Sequence, residues 1–163
     1  MYSIGEKVVY GAMGVMEIVD ITEQTVGDVA RKYYVLKEYA SPSASLTYVP
    51  VDNAALTSQL KPLLTKEEIV ETIRLAKTTQ PIAWVEENRA RSEMYKRILD
   101  RVQMLAMIRL VYETGIRRET EGKKNFIADE NVMRRAQKNI ATEFSLVLGI
   151  PESEIFEYIK NAE

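Results

Sequence analysis

Trp84 is the only tryptophan in the chain, and Arg89 and Arg91 follow it in the stretch Ala83-Trp84-Val85-Glu86-Glu87-Asn88-Arg89-Ala90-Arg91. A planar ring beside guanidinium groups has a clear use: the ring can wedge against an unstacked base step while arginine holds the phosphates. Covalent chemistry has far less to draw on. The 163 residues contain no cysteine, which removes disulfides and thiolate nucleophiles, and no histidine, which removes the commonest general base and metal ligand. There is no Gly-rich phosphate loop and no nucleophile elbow. Glu67-Glu68 and Glu86-Glu87 are adjacent acids, and helical neighbours do not point the same way. Thr65-Lys66-Glu67-Glu68 reads as a capping box, and Glu86-Glu87 reads as acids in the first turn of a helix, where the dipole favours them. No catalytic residue, metal site, cofactor or small-molecule substrate is therefore expected, and the chain reads as a non-enzyme.

Two readings of Trp84 stand. If the helix already includes Trp84, helical spacing puts Trp84, Arg91, Tyr95 and Ile98 on one face, and the indole is core or a staple at the helix entry. Arg89 then lies roughly opposite Ile98, beside Glu93 and Lys96, and pairs with Glu93 at i,i+4. In the other reading the indole is an exposed wedge at the head of a basic helix. Lys96, Arg97 and Arg101 extend the basic side, and Arg117, Arg118, Lys123 and Lys124, then Arg134, Arg135 and Lys138, form further clusters. Each alone is an ordinary solvated face; together they favour a polyanion partner. The net charge is −2, so no global field draws the chain to nucleic acid and any contact must come from a local patch.

The elements that position these residues change character along the chain. Ile4 to Tyr10 and Val15 to Ile21 are strand-like, joined by Gly11-Ala12-Met13-Gly14, and pair naturally as a hairpin. In the second strand Val15, Glu17 and Val19 share one face, and Met16, Ile18 and Asp20 the other. Gly27-Asp28 marks a turn. Arg31 to Tyr39 is a third strand, Pro42-Ser43 a turn, and Ser45 to Val51 a fourth strand that Pro50 ends or confines to an edge. Such short strands form a small, strongly curved antiparallel sheet of SH3 or Tudor type. Its edge is either protected or free to recruit a partner strand.

Helical spacing follows. Helices are expected at 66–78, 85–99, 102–121 (Gly115 bending it or ending it early), 127–148 (ended by Gly149) and 151–161, with Pro151 in the first turn. None can bury its apolar stripe alone, so they pack as one bundle of about five helices. The predicted fold is α+β, with a sheet domain at 1–62 and a helical domain at 63–163. No apolar run reaches membrane-span length and the N-terminus has no signal-peptide pattern, so a soluble cytoplasmic protein without membrane contact is expected.

Ile4-Gly5-Glu6-Lys7-Val8-Val9-Tyr10, Gly14-Val15, Ile18, Tyr33-Tyr34-Val35-Leu36 and Leu46-Thr47-Tyr48-Val49-Pro50-Val51-Asp52-Asn53-Ala54 form a recognisable N-terminal pattern. Trp84 with Arg89 and Arg91, and the helices leading to Ala136 and Glu143, continue it. Over nearly its whole length the chain resembles the CarD/CdnL family of bacterial transcription regulators. Its N-terminal block is also similar to the polymerase-interacting module of the transcription-repair coupling factor. The resemblance implies a Tudor-like module that docks on the RNA polymerase β subunit through its sheet, with Arg31, Tyr48 and Val49 at the contact. It further implies a helical domain that touches promoter DNA at the upstream edge of the melted region. There Trp84 wedges into the minor groove and stabilises the open complex, with Arg89 and Arg91 on the DNA. An adaptor that joins two proteins without touching DNA, its tryptophan buried, is the alternative. The chain departs from the family at Glu86 and Glu87, where relatives often carry basic residues, and at Tyr48, where some carry arginine. Glu86 and Glu87 are expected to weaken phosphate attraction; for either partner the expectation is a lower affinity or a partner surface changed to match.

Overall fold

The computed structural model describes residues 1–41, 43, 45–80 and 83–162. Pro42, in the expected turn, and Pro81, just ahead of Trp84, lie outside the described residues. β1 (Lys7–Tyr10), β2 (Val15–Val26), β3 (Val29–Glu38), β4 (Thr47–Pro50) and β5 (Leu60–Pro62) form one antiparallel sheet in the order β4-β3-β2-β1-β5. The return from β1 to β2 is a single 3-10 turn, Gly11–Met13, closed by Gly14 at φ 80° and ψ −148°, a conformation open essentially to glycine alone.

The β2–β3 hairpin is longer than the apolar pattern foretold. It runs to Val26 and resumes at Val29 across the Gly27-Asp28 turn. Thr22, Glu23, Gln24 and Thr25 carry no apolar alternation, yet each pairs across the hairpin, from Thr22 opposite Tyr33 to Thr25 opposite Ala30. The register shifts between Ile18 and Asp20, a β-bulge that bends the strand. Before the bulge Met16 and Ile18 face the core, as alternation predicts; from Glu23 and Lys32 outward the ribbon is exposed, with Val26 and Val29 at its tip. The core of the sheet joins these two to Val8, Tyr34, Leu36, Val49 and Leu60. β4 does lie at an edge and ends at Pro50. From there α1 (Ala54–Thr57), capped by Asn53 Oδ1 accepting from the Leu56 N–H, leads into β5.

The contacts divide the chain into Met1–Leu63 and Leu64–Glu163. The second unit contains α2 (Lys66–Thr78), α3 (Asn88–Lys96), α4 (Arg101–Thr120), α5 (Ile127–Leu148) and α6 (Ile155–Asn161), the last entered through a 3-10 turn at Glu152–Glu154. An α+β chain with a sheet followed by helices is thus what folds. Thr65 and Glu68 form the capping box at the start of α2: Glu68 Oε2 accepts from the Thr65 N–H at 2.8 Å. Ile69, Ile73, Met107, Ile140, Phe144 and Ile155 are the centre of the core. Gly149, at φ 70°, ends α5 as expected. Gly115 does not end α4, which continues to Thr120. A Cβ there would lie 3.2 Å from Asn125 Nδ2, so the missing side chain makes room for the following loop. No helix among the described residues is long and apolar enough to cross a membrane.

Candidate functional site

Trp84 is not on a helix. Glu87 is the N-cap of α3, its carboxylate accepting from the Arg89 and Ala90 N–H groups, so the helix begins only at Asn88. The expected start at 85 and the first-turn role of Glu87 are both corrected: this acid caps the helix end, and the chain before it is irregular, with a bend at Glu86. Trp84 therefore meets Arg91 through space and not along a helix face.

The indole is half-buried. Its ring lies 4.0 Å from Arg91 Cζ, and the Phe126 ring, from just ahead of α5, lies 4.5 Å from the same atom. The rings are 6.1 Å apart and tilted by 42°, so the guanidinium occupies the corner they make. Its edges are equally committed. Nε donates to Asp129 Oδ2 at 2.8 Å, Nη2 lies 2.7 Å from the same oxygen and donates to Asn88 Oδ1 at 2.9 Å, and Nη1 donates to Val85 O at 2.7 Å and, at 3.5 Å, to Glu86 O. The other oxygen of Asp129 accepts from Ser92 Oγ at 2.9 Å. Arg91 is 0% exposed and Asp129 2%. The guanidinium is fully buried and bonded around its edge, so it presents no exposed donor to a phosphate. The DNA contact expected of Arg91 is not one this geometry offers.

Arg89, by contrast, is exposed and forms no ion pair among the described residues. The pair expected between Arg89 and Glu93 does not form; Glu93 binds Lys96 at 3.0 Å instead, and this hydrogen bond, with the nearby positive charges, lowers its pKa. Part of each basic cluster is paired: Arg101 with Glu143, Lys123 with Glu121, Arg134 with Glu130 and Lys138 with Glu152. Glu143, 3% exposed, binds Arg101 through both carboxylate oxygens and also accepts from the Leu64 N–H, so it ties α4 and α5 to the start of the helical unit. Arg109 donates to the carbonyls of Ala76, Lys77 and Thr79 at the end of α2.

Sequence reasoning missed Phe126 and Asp129. Asp129 reads as another first-turn acid, and Phe126 as the residue after a polar loop. Their only local signals are an aromatic at a helix entry and an acid in the turn behind it, which do not reveal a partner near residue 91.

In the sheet unit Tyr48 is 46% exposed and rests edge-on against Tyr33, with ring centroids 6.3 Å apart. Arg31 is exposed and pairs with Asp52 at 3.4 Å. Val49 is 0% exposed, part of the core. The Val51 N–H donates to Lys32 O at 2.9 Å. By antiparallel alternation Val49, two residues before it, also turns its backbone toward β3, while Tyr48 turns its N–H and C=O to the open edge. Pro50 has no N–H, and its carbonyl accepts from Asn53 N–H. The Val49 side chain, expected at the contact, thus lies in the core, and Tyr48 carries the outward N–H and C=O of the edge.

The fold and these surfaces define a protein of two units: a small antiparallel sheet with an open edge strand, and a helical unit that braces one aromatic ring at its surface. Residues 2–63 match the family model of the CarD-like/TRCF RID domain, so the sheet unit is a domain of that family. It is an RNA polymerase-interacting domain, and the coarse function it carries is that of a transcription factor that interacts with RNA polymerase. No curated protein matches the chain.

Proposed function

We propose that the protein is a non-enzymatic transcription regulator that docks on the RNA polymerase β subunit and stabilises the promoter open complex. Docking runs through the edge at Tyr48, where an outward N–H and C=O can pair with a partner strand. The helical unit then presents Trp84 to promoter DNA at the upstream edge of the bubble, with Arg89 as the phosphate contact. The observation that carries this reading is the half-buried indole, fixed on Arg91 at the surface and not sealed in the core. A contact that is better with melted than with closed DNA shifts the equilibrium by that difference alone. With a net charge of −2 and so many basic groups paired, the chain binds free DNA poorly; the docked module supplies the high local concentration it needs.

The test is the lifetime of the promoter bubble with purified polymerase. Replacing Trp84 by Ala should shorten it about fivefold or more, the loss of one base–aromatic stack. A lifetime unchanged within error removes Trp84 from the mechanism. The partly paired basic clusters favour a second reading, an adaptor whose Trp84 faces protein. Photo-crosslinking from position 84 separates the two: crosslinks to promoter DNA support the wedge, and crosslinks to polymerase alone support the adaptor.

A further inference from the structure

Arg91 binds the indole of Trp84 and also the carbonyls of Val85 and Glu86, which belong to the segment carrying that indole. One side chain thus grips both ring and backbone. It is itself gripped from α5 by Asp129 and, through its other face contact, by Phe126. Phe126 is held in turn: Arg118 Cζ lies 4.0 Å from its ring, and Arg118 Nε donates to Lys124 O at 2.9 Å in the loop that leads to Phe126. A cation over an aromatic face attracts more strongly when it is dry, and this one is fully buried.

We propose that Arg91 is a positioning residue: with Asp129 and Phe126 it forms a rigid seat that holds Trp84 in a single pose, and it makes no contact with DNA. The seat exists in the free protein. Only the DNA arm of the test below rests on the wedge reading given above.

The seat is read directly because Trp84 is the sole tryptophan, so emission excited selectively in the indole band reports on it alone. Arg91→Ala leaves Asp129 buried without its cation and risks unfolding the unit. The variants are therefore Arg91→Met with Asp129→Leu, which removes both charges, and Phe126→Leu, which leaves the ion pair in place. In the full chain, with helicity preserved by circular dichroism, both should raise acrylamide quenching of Trp84. Loss of a cation–π contact should increase the freed population about fivefold, or about 1 kcal/mol. Unchanged quenching in both folded variants overturns the proposal.

The DNA arm uses bubble lifetime on polymerase at several salt concentrations. The Arg91/Asp129 variant should shorten the lifetime toward that of Trp84→Ala, should add nothing in combination with Trp84→Ala, and should keep the wild-type salt slope. A phosphate ligand would instead lower the slope by about one for each contact and act additively with Trp84→Ala; that result also overturns the proposal. Should Trp84→Ala leave the lifetime unchanged, the wedge reading falls, and quenching alone decides the seat.

Discussion

Trp84 and Tyr48 are both partly exposed aromatic side chains at candidate contact surfaces, yet the chain holds them by opposite means. Tyr48 needs only its own strand and the next: Tyr33 touches its ring, Val35 lies opposite it in register, and the alternation of the ladder decides where its backbone points. Trp84 needs residues far along the chain, since Asp129 lies 38 positions from Arg91. The ion pairs differ in the same way. Arg31–Asp52 is exposed on both sides and 3.4 Å long, whereas Arg91–Asp129 is dry, 2.7 Å long and hydrogen-bonded around its whole edge. A local surface can change without disturbing the fold; a surface braced by a buried charge cannot.

The contrast breaks most visibly by truncation. Arg91→Ala should destabilise the helical unit by about 3–5 kcal/mol, because a carboxylate is left buried and unpaired, whereas Arg31→Ala should cost less than about 1 kcal/mol. Urea unfolding of the full chain, followed by Trp84 emission for the helical unit and by circular dichroism for both, measures the difference; similar losses would end the comparison. A smaller effect is expected at the open edge. Tyr48→Pro deletes an outward N–H and the ring that rests on Tyr33 but keeps the ladder to β3, so polymerase affinity should fall at least about fivefold, the worth of one hydrogen bond of about 1 kcal/mol, with only a small drop in melting temperature. Equal binding by this variant would mean that docking does not use the edge.

The smallest effect concerns pH. Glu152 accepts from Lys138 Nζ at 2.8 Å and from Thr142 Oγ1 at 3.0 Å; the lysine bond chiefly, then the threonine bond, holds its pKa below the ordinary 4.5. A carboxylate whose pKa is lowered by folding contributes stability that is complete above the unfolded value and is lost as pH falls through the folded one. Acidification from just above pH 4.5 downward should therefore lower the melting temperature of the helical unit slightly. Glu152→Gln should flatten part of that decline; an unaltered profile would show that the contact with Lys138 is too solvated to matter.

Much of the fold was legible because it is written in short-range pattern. The capping box at Thr65, the turn at Gly27-Asp28 and the end of α5 at Gly149 each depend on residues a few positions apart, and each formed. The polar half of the β2–β3 ribbon was not legible, because cross-strand pairing carries it and no apolar alternation marks it. Nor was the start of α3: two adjacent acids in a first turn look alike in sequence, and only the structure makes one of them the cap.

By itself the sequence determined that a sheet precedes helices, that cysteine and histidine chemistry is absent, and that one tryptophan stands among arginines. Those are matters of residue type and near-neighbour spacing. Tertiary structure decided what the arginines are for. Arg89 and Arg91 differ by two positions in a chain whose helix turns through more than half a circle between them. One therefore points to solvent, and the other enters a dry corner between two rings, where its hydrogen-bond partners come from the same segment or from the next helix but one.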